Sequence, residues 1–300
     1  MSRGSFNFAI STSVSGLGRL QNFSAGIRDA PCGVPPSAVL KSVRVAAQGA
    51  FVRNLTRRLI KERGSPLSGS NIRANLVRVR ERIGASCDRA GRDPSSIRLV
   101  AVSKTFPADR IVEAYQCGLR DFGENRIQEF QQKLATLNLP EATFHFIGHL
   151  QTNKVSQALA FDWVQTLDSR RLALRLNDAA AGADKVVSVL IEVKLSEEAS
   201  KTGVSEAEAS DLTDFVVSLP QLRLKGLMTI PPYSPDVELS RSYFRRLRQL
   251  RDRLRDAGHH GLQELSMGMS QDFPVAIEEG ATIIRVGTGI FGPRPPAAGR

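Results

Sequence analysis

Three hundred residues with 41% hydrophobic content suffice for one large domain or two small ones with a substantial core. The formal net charge of +11 suggests nucleic acid, but residues 1–70 hold ten Lys or Arg against two acids and the rest hold 31 against 28. The excess therefore belongs to an N-terminal segment without interleaved aromatics or a DNA-binding motif. Cys32, Cys87 and Cys117 are too few and too scattered for a disulfide framework or a zinc site, and no apolar run is long enough to span a membrane.

Residues 1–69 form a basic, Ser-, Gly- and Arg-rich extension that is expected to be disordered. It suits an organellar targeting segment, a basic tail, or an extension from an upstream start codon; Val52–Arg63 could form a short amphipathic helix. The default compartment is the reducing cytoplasm. The folded domain is expected over residues 70–295. Ser70 or Asn71 can cap a helix to about Ala90, with Ile72, Leu76, Val79 and Ile83 on one face. Beyond Gly91 and Pro94, short β-rich runs alternate with longer helical ones. Strands are expected at 98–102, 121–122, 143–147, 163–165, 186–193, 223–227, 264–266 and 282–286. Helices are expected at 108–117, 124–137, 152–160, 169–180, 205–219, 236–257 and 272–279. Such alternation implies βα units and a parallel sheet. Eight units predict an α/β fold of the (β/α)8 TIM-barrel type, a single domain with one extra N-terminal helix. A doubly wound open sheet is the structural alternative.

In such a barrel, functional residues collect at the C-terminal ends of the strands. The first strand, Leu99–Val102, runs straight into Ser103-Lys104-Thr105. An ammonium at the mouth of an apolar core has its pKa pulled down by desolvation. Lys104 is thus a candidate amine nucleophile for an aldehyde, the bland reading being a strand-end lysine reaching to solvent. The seventh and eighth strands end in Ser266-Met267-Gly268-Met269-Ser270 and Gly287-Thr288-Gly289. Hydroxyls and unobstructed backbone amides in those two slots suit a phosphate, although turn chemistry alone could place them there. Gly287–Gly292 also matches G-x-G-x-x-G, but the helix, strand and acid that a dinucleotide site needs are not expected after it, where Pro293, Pro295 and Pro296 come next. His145 and His149 are four apart on an expected strand and lack a third ligand, which argues against a metal. Seven arginines in Arg241–Arg255 read as a solvated outer helix face.

An aldehyde-reactive lysine beside a phosphate site suggests pyridoxal phosphate. From about Asn71 to Arg294 the chain resembles the pyridoxal phosphate homeostasis proteins. The likeness rests on LVAVSKT (99–105), DFGEN (121–125), HFIGHLQTNK (145–154), SKTG (200–203), LKGLMTI (224–230), LSMGMS (265–270) and IRVGTGIFG (284–292). It implies a barrel like the N-terminal domain of alanine racemase. It further implies that Lys104 carries pyridoxal 5'-phosphate as a covalent aldimine, and that Ser270, Gly287 and Thr288 hold the phosphate with Ser266 close by. Arg285 should face the pyridine nitrogen, with Asn125 and Met228 near the ring. Phe106 and Arg126 stand where other residues are common. Racemases take a second, tyrosine base from an additional domain, and the sequence ends directly after strand eight. The resemblance therefore implies a protein that buffers or delivers the cofactor, and the lack of a second base implies no evident turnover. The alternative is an amino-acid racemase of low activity. Expected partners are pyridoxal phosphate and pyridoxal-phosphate-dependent apoenzymes, with no nucleic acid and no membrane, and a monomeric state. Lys201 could receive the cofactor in transfer, the plainer reading being a solvated loop lysine.

Overall fold

A parallel sheet of apolar strands is stable only when both its faces are covered. Here closure covers one face and a ring of helices the other. The protein, described by a computed structural model over residues 71–196 and 202–294, has eight parallel strands. They are β1 (Arg98–Val102), β2 (Asp121–Glu124), β3 (Thr143–Phe146), β4 (Trp163–Leu167), β5 (Val187–Glu192), β6 (Leu222–Met228), β7 (Glu264–Ser266) and β8 (Ile283–Val286). Neighbours pair in sequence order, and β1 also pairs with β8 from Arg98 opposite Ile283 to Ala101 opposite Val286. That last pairing makes the sheet a closed (β/α)8 barrel and removes the open-sheet alternative. The N-terminal extension with Val52–Arg63, and Lys201, lie outside the described residues.

The leading helix, α1 (Ile72–Ala90), starts where Asn71 accepts a hydrogen bond from the Ala74 amide at 3.1 Å. It ends at Gly91, whose φ of 63° is the left-handed conformation that glycine adopts without a Cβ penalty. Its buried face carries Ile72, Leu76, Val79 and Ile83, as the spacing predicted. The helices between strands are α2 (Ala108–Gln116), α3 (Ile127–Leu134), α4 (Val155–Ala158), α5 (Arg170–Gly182), α6 (Glu206–Val217), α7 (Leu239–Asp256) and α8 (Phe273–Glu278). After β8 comes one further turn, α9 (Thr288–Phe291), which the sequence reading did not anticipate. Two helices are shorter than expected. Residues 124–126 belong to β2 and its exit, so α3 begins only at Ile127. The fourth helix is split, with a 3-10 turn over Thr152–Lys154 ahead of α4.

The core has two layers. Inside the barrel, Val100, Trp163, Leu190, Met228 and Ile283 pack on one another. The larger layer, between strands and helices, includes Phe122, Phe130, Phe144 and Phe161. The arginines of α7 are not a plain solvated face. Arg241, Arg245 and Arg248 converge on buried Glu279, and Arg246 and Arg253 on Glu206. Burial works to raise the Glu279 pKa, but hydrogen bonds from Arg245 and Arg241 hold it below the ordinary carboxylate value. These ion pairs fasten α7 to the ends of α8 and α6.

Candidate functional site

The end of β1 is held from behind. Ser103 donates its hydroxyl to Glu124 at 2.7 Å, and its carbonyl accepts from the Lys133 ammonium at 3.1 Å. Lys133 also pairs with Glu124 at 2.8 Å and with Glu129 at 2.7 Å, and Glu129 accepts from the Thr105 amide at 2.7 Å. Burial raises the Glu124 pKa against the opposing pull of Lys133. Lys104 thus sits between two residues whose backbones are clamped by a buried ionic cluster. Thr105 has φ 69°, a strained conformation for a β-branched residue. The chain turns sharply there, and Lys104 follows Val100 and Val102 in inward alternation.

Lys104 opens on a cavity of about 270 Å³ at the C-terminal mouth of the barrel. That is close to the lower size range of small-molecule sites. Desolvation lowers the Lys104 pKa, and the charges of Arg294 and Arg285 lower it further. More of this amine is neutral, and so nucleophilic, near neutral pH than in an exposed lysine.

The opposite wall comes from the loops after β7 and β8. Gly268, with φ 91°, lets the chain turn back at the first of them. A Cβ there would lie 2.6 Å from the Cβ of Ala276. The turn brings the Ser270 hydroxyl to the Gly287 amide at 3.2 Å and the Gly289 amide at 3.4 Å. Arg82 of α1 donates to the Ser270 carbonyl at 3.2 Å and lies over the Phe273 ring. The Thr288 hydroxyl and the Arg294 guanidinium line the same wall.

Arg285, on β8, forms part of the floor. It is buried, and burial pulls its pKa down to about 10, with Asp272 and Glu192 opposing. It remains cationic at neutral pH. It donates to the Ser266 hydroxyl at 2.6 Å and the Thr229 carbonyl at 2.9 Å. Two of its five N–H groups are then engaged, and the rest can serve the cavity.

Of the residues singled out from sequence, Lys104, Ser270, Arg285, Gly287 and Thr288 meet around this cavity. Three do not reach its wall. Met228 is fully buried in the barrel's interior apolar layer. Ser266 lies under Arg285 with its hydroxyl spent on that side chain and on Gln165. Asn125, just beyond β2, is not among the residues lining the cavity, and its backbone lies against Gly148. Arg294, Asp272 and Phe106 line the cavity without having been proposed as site residues. His145 and His149 do not share a site. His145 is inside the barrel, and exposed His149 faces Asp168 at 3.5 Å. Among the three tyrosines only Tyr233 lines the cavity, at its rim and 77% exposed.

The chemistry of this donor set fits an aldehyde-bearing phosphate ester. A low-pKa amine faces a pair of backbone amides and two hydroxyls, with two arginines adding positive charge. The model for "Alanine racemase, N-terminal domain" matches residues 68–295. A pyridoxal phosphate homeostasis protein of Aquifex aeolicus is 46% identical over 220 residues, 73% of this chain and 96% of that protein. One from Escherichia coli strain K12 is 43% identical over 232 residues, 75% and 97% of the two chains. Among solved structures, PipY of Synechococcus elongatus PCC7942 with PLP bound superposes with a TM-score of 0.67 at 38% identity, covering 74% of this chain and all of that one. The chain belongs to the pyridoxal phosphate homeostasis protein family, built on the alanine racemase N-terminal domain.

Proposed function

We propose that this protein binds pyridoxal 5'-phosphate at the mouth of the barrel and serves its homeostasis by holding and releasing it. The observation that carries the reading is Lys104, an amine with lowered pKa facing a phosphate-type wall across one cavity. The name of the relatives and the PLP-bound PipY structure point the same way.

In this reading Lys104 is the covalent anchor, forming a Schiff base with the aldehyde while water leaves. The phosphate accepts from the Gly287 and Gly289 amides and from the hydroxyls of Ser270 and Thr288. The amide contacts to Ser270 lie at or beyond the long end of N–H···O geometry, so an anionic oxygen competes for them well. Arg285 donates to the ring nitrogen. Cationic at neutral pH, it supplies a hydrogen bond without giving that nitrogen a proton, which weakens the ring as an electron sink. Asn125, Met228 and Ser266 support the site from outside the cavity wall. The recipients are apoenzymes that need the same cofactor, the working state is a monomer, and the compartment is a reducing one. Cys87 and Cys117 are free thiols. No described helix is long and apolar enough to cross a membrane.

The test is a screen of the common amino acids for α-proton exchange with deuterated solvent by the ligand-loaded protein. The expected result is no exchange above that of free pyridoxal phosphate. Exchange abolished by Lys104→Ala would replace the carrier reading with an enzyme.

A further inference from the structure

A barrel interior of this type is normally filled by branched apolar side chains. Here a thread of buried polar groups runs beside the apolar layer, from the cavity floor to the opposite face. Arg285 Nη1 meets Ser266 Oγ at 2.6 Å, and Ser266 Oγ meets Gln165 Oε1 at 2.6 Å. Gln165 Nε2 meets His145 Nδ1 at 3.0 Å, and His145 Nε2 meets Asp121 Oδ1 at 2.9 Å. Ser266, Gln165 and His145 are completely buried, and none of these side chains has an unpartnered polar atom. The lower end reaches partly exposed Asp121, with Arg98 3.8 Å away and stacked over Trp163, on which His145 also stacks.

The chemistry fixes the direction of the thread. Arginine can only donate, so the Ser266 hydroxyl accepts from Arg285 and its single proton goes to Gln165 Oε1. The Gln165 amide nitrogen then donates to His145 Nδ1, and the proton of the neutral imidazole sits on Nε2, donating to Asp121. Turning the Gln165 amide over would strand the Ser266 proton and demand an imidazolium. Burial opposes that, since it lowers the His145 pKa despite the hydrogen bond to Asp121.

We propose that Gln165, His145 and Asp121 are positioning residues that orient Arg285 for the ligand's ring nitrogen. The thread holds one edge of the guanidinium and Thr229 another, so the remaining donors keep one direction. Orienting a donor in advance removes the ordering cost at binding. The inference rests on pyridoxal phosphate being the ligand. It adds that the ring-nitrogen contact depends on residues that do not touch the ligand.

The experiment compares equilibrium binding of pyridoxal phosphate and its 1-deaza analogue, which lacks the ring nitrogen, to the full chain and to Gln165→Leu and Asp121→Asn. The second variant keeps an acceptor and sits at the exposed end, so it spares the core. The expected result is a loss of about tenfold for pyridoxal phosphate in Gln165→Leu, the size of one charged hydrogen bond. A smaller loss is expected in Asp121→Asn, with binding of the deaza analogue unchanged in both. Equal losses for the two ligands, or none, would overturn the proposal. Failure of the unaltered protein to bind either ligand would instead remove the function on which it rests.

Discussion

Two groups of arginines on this barrel do opposite things with the same side chain. On the outer seam, Arg241, Arg245 and Arg248 surround the carboxylate of Glu279, and their charge is spent on fastening α7 to α8. Inside, Arg285 meets no carboxylate at hydrogen-bond distance among the described residues. Its partners are a hydroxyl and a carbonyl, and its charge stays available at the cavity floor. A buried cation without a carboxylate partner is expensive. Its presence at the floor of the cavity lined by Lys104, Ser270 and Thr288 fits an acceptor-bearing ligand there. The outer arginines mark architecture.

The largest expected effect is at the anchor. Lys104→Ala should remove covalent capture completely while leaving the thermal transition close to that of the unaltered protein, since Lys104 lies at the open mouth of the cavity rather than in the packed core. Next comes the ionic cluster behind it. Lys133→Met leaves Glu124 buried and uncompensated, and a loss of about 3–5 kcal/mol in denaturant unfolding is expected. Replacing Glu124 by Leu in the same chain should recover much of it.

On the outer seam, Glu279→Gln should cost about 2 kcal/mol at neutral pH, on the scale of hydrogen bonds to a charged group. The Glu279 pKa is lowered in the fold. Its contribution is therefore complete above the unfolded value of about 4.3 and lost as pH falls through the lower folded value. A pH series of unfolding midpoints should show the variant and the parent converging in acid. Ligand binding should be untouched, which separates the seam from the site.

At the phosphate wall, Ser270→Ala should weaken pyridoxal phosphate by about tenfold, one charged hydrogen bond, and leave pyridoxal without its phosphate unaffected. The smallest effect belongs to Arg294→Ala. Arg294 helps to lower the Lys104 pKa, so its removal raises that pKa and leaves less neutral amine. Capture should slow modestly at neutral pH and return to the parent rate in alkali, where both amines are deprotonated.

Much of this was legible in the chain because barrel chemistry sits at strand ends. Lys104, Ser270, Gly287 and Thr288 follow apolar runs directly, and their positions in the first, seventh and eighth slots place them together. The role of Arg285 came from family resemblance; alone, it reads as a charge inside an apolar strand. Other features could not be read in sequence. Arg294 lies beyond β8 among glycines and prolines, where periodicity carries no information. Gln165 points inward with Trp163, two positions earlier, but alternation along β4 gives only its face and not its partners Ser266 and His145, which lie on other strands. In sequence His145 reads only as half of a histidine pair at metal-ligand spacing that lacks a third ligand. Its partners Gln165 and Asp121 lie 20 and 24 residues away and become neighbours only when the sheet closes.

Everything proposed for the cavity depends on Lys104 capturing an aldehyde whose phosphate the facing loops hold. The most direct test is the visible absorption spectrum of the protein with pyridoxal phosphate, before and after borohydride, followed by mass mapping of the reduced peptide. The expected result is a yellow protein, bleached by borohydride, whose adduct maps to Lys104. A protein that stays colourless with pyridoxal phosphate, or an adduct confined to another lysine, would contradict it.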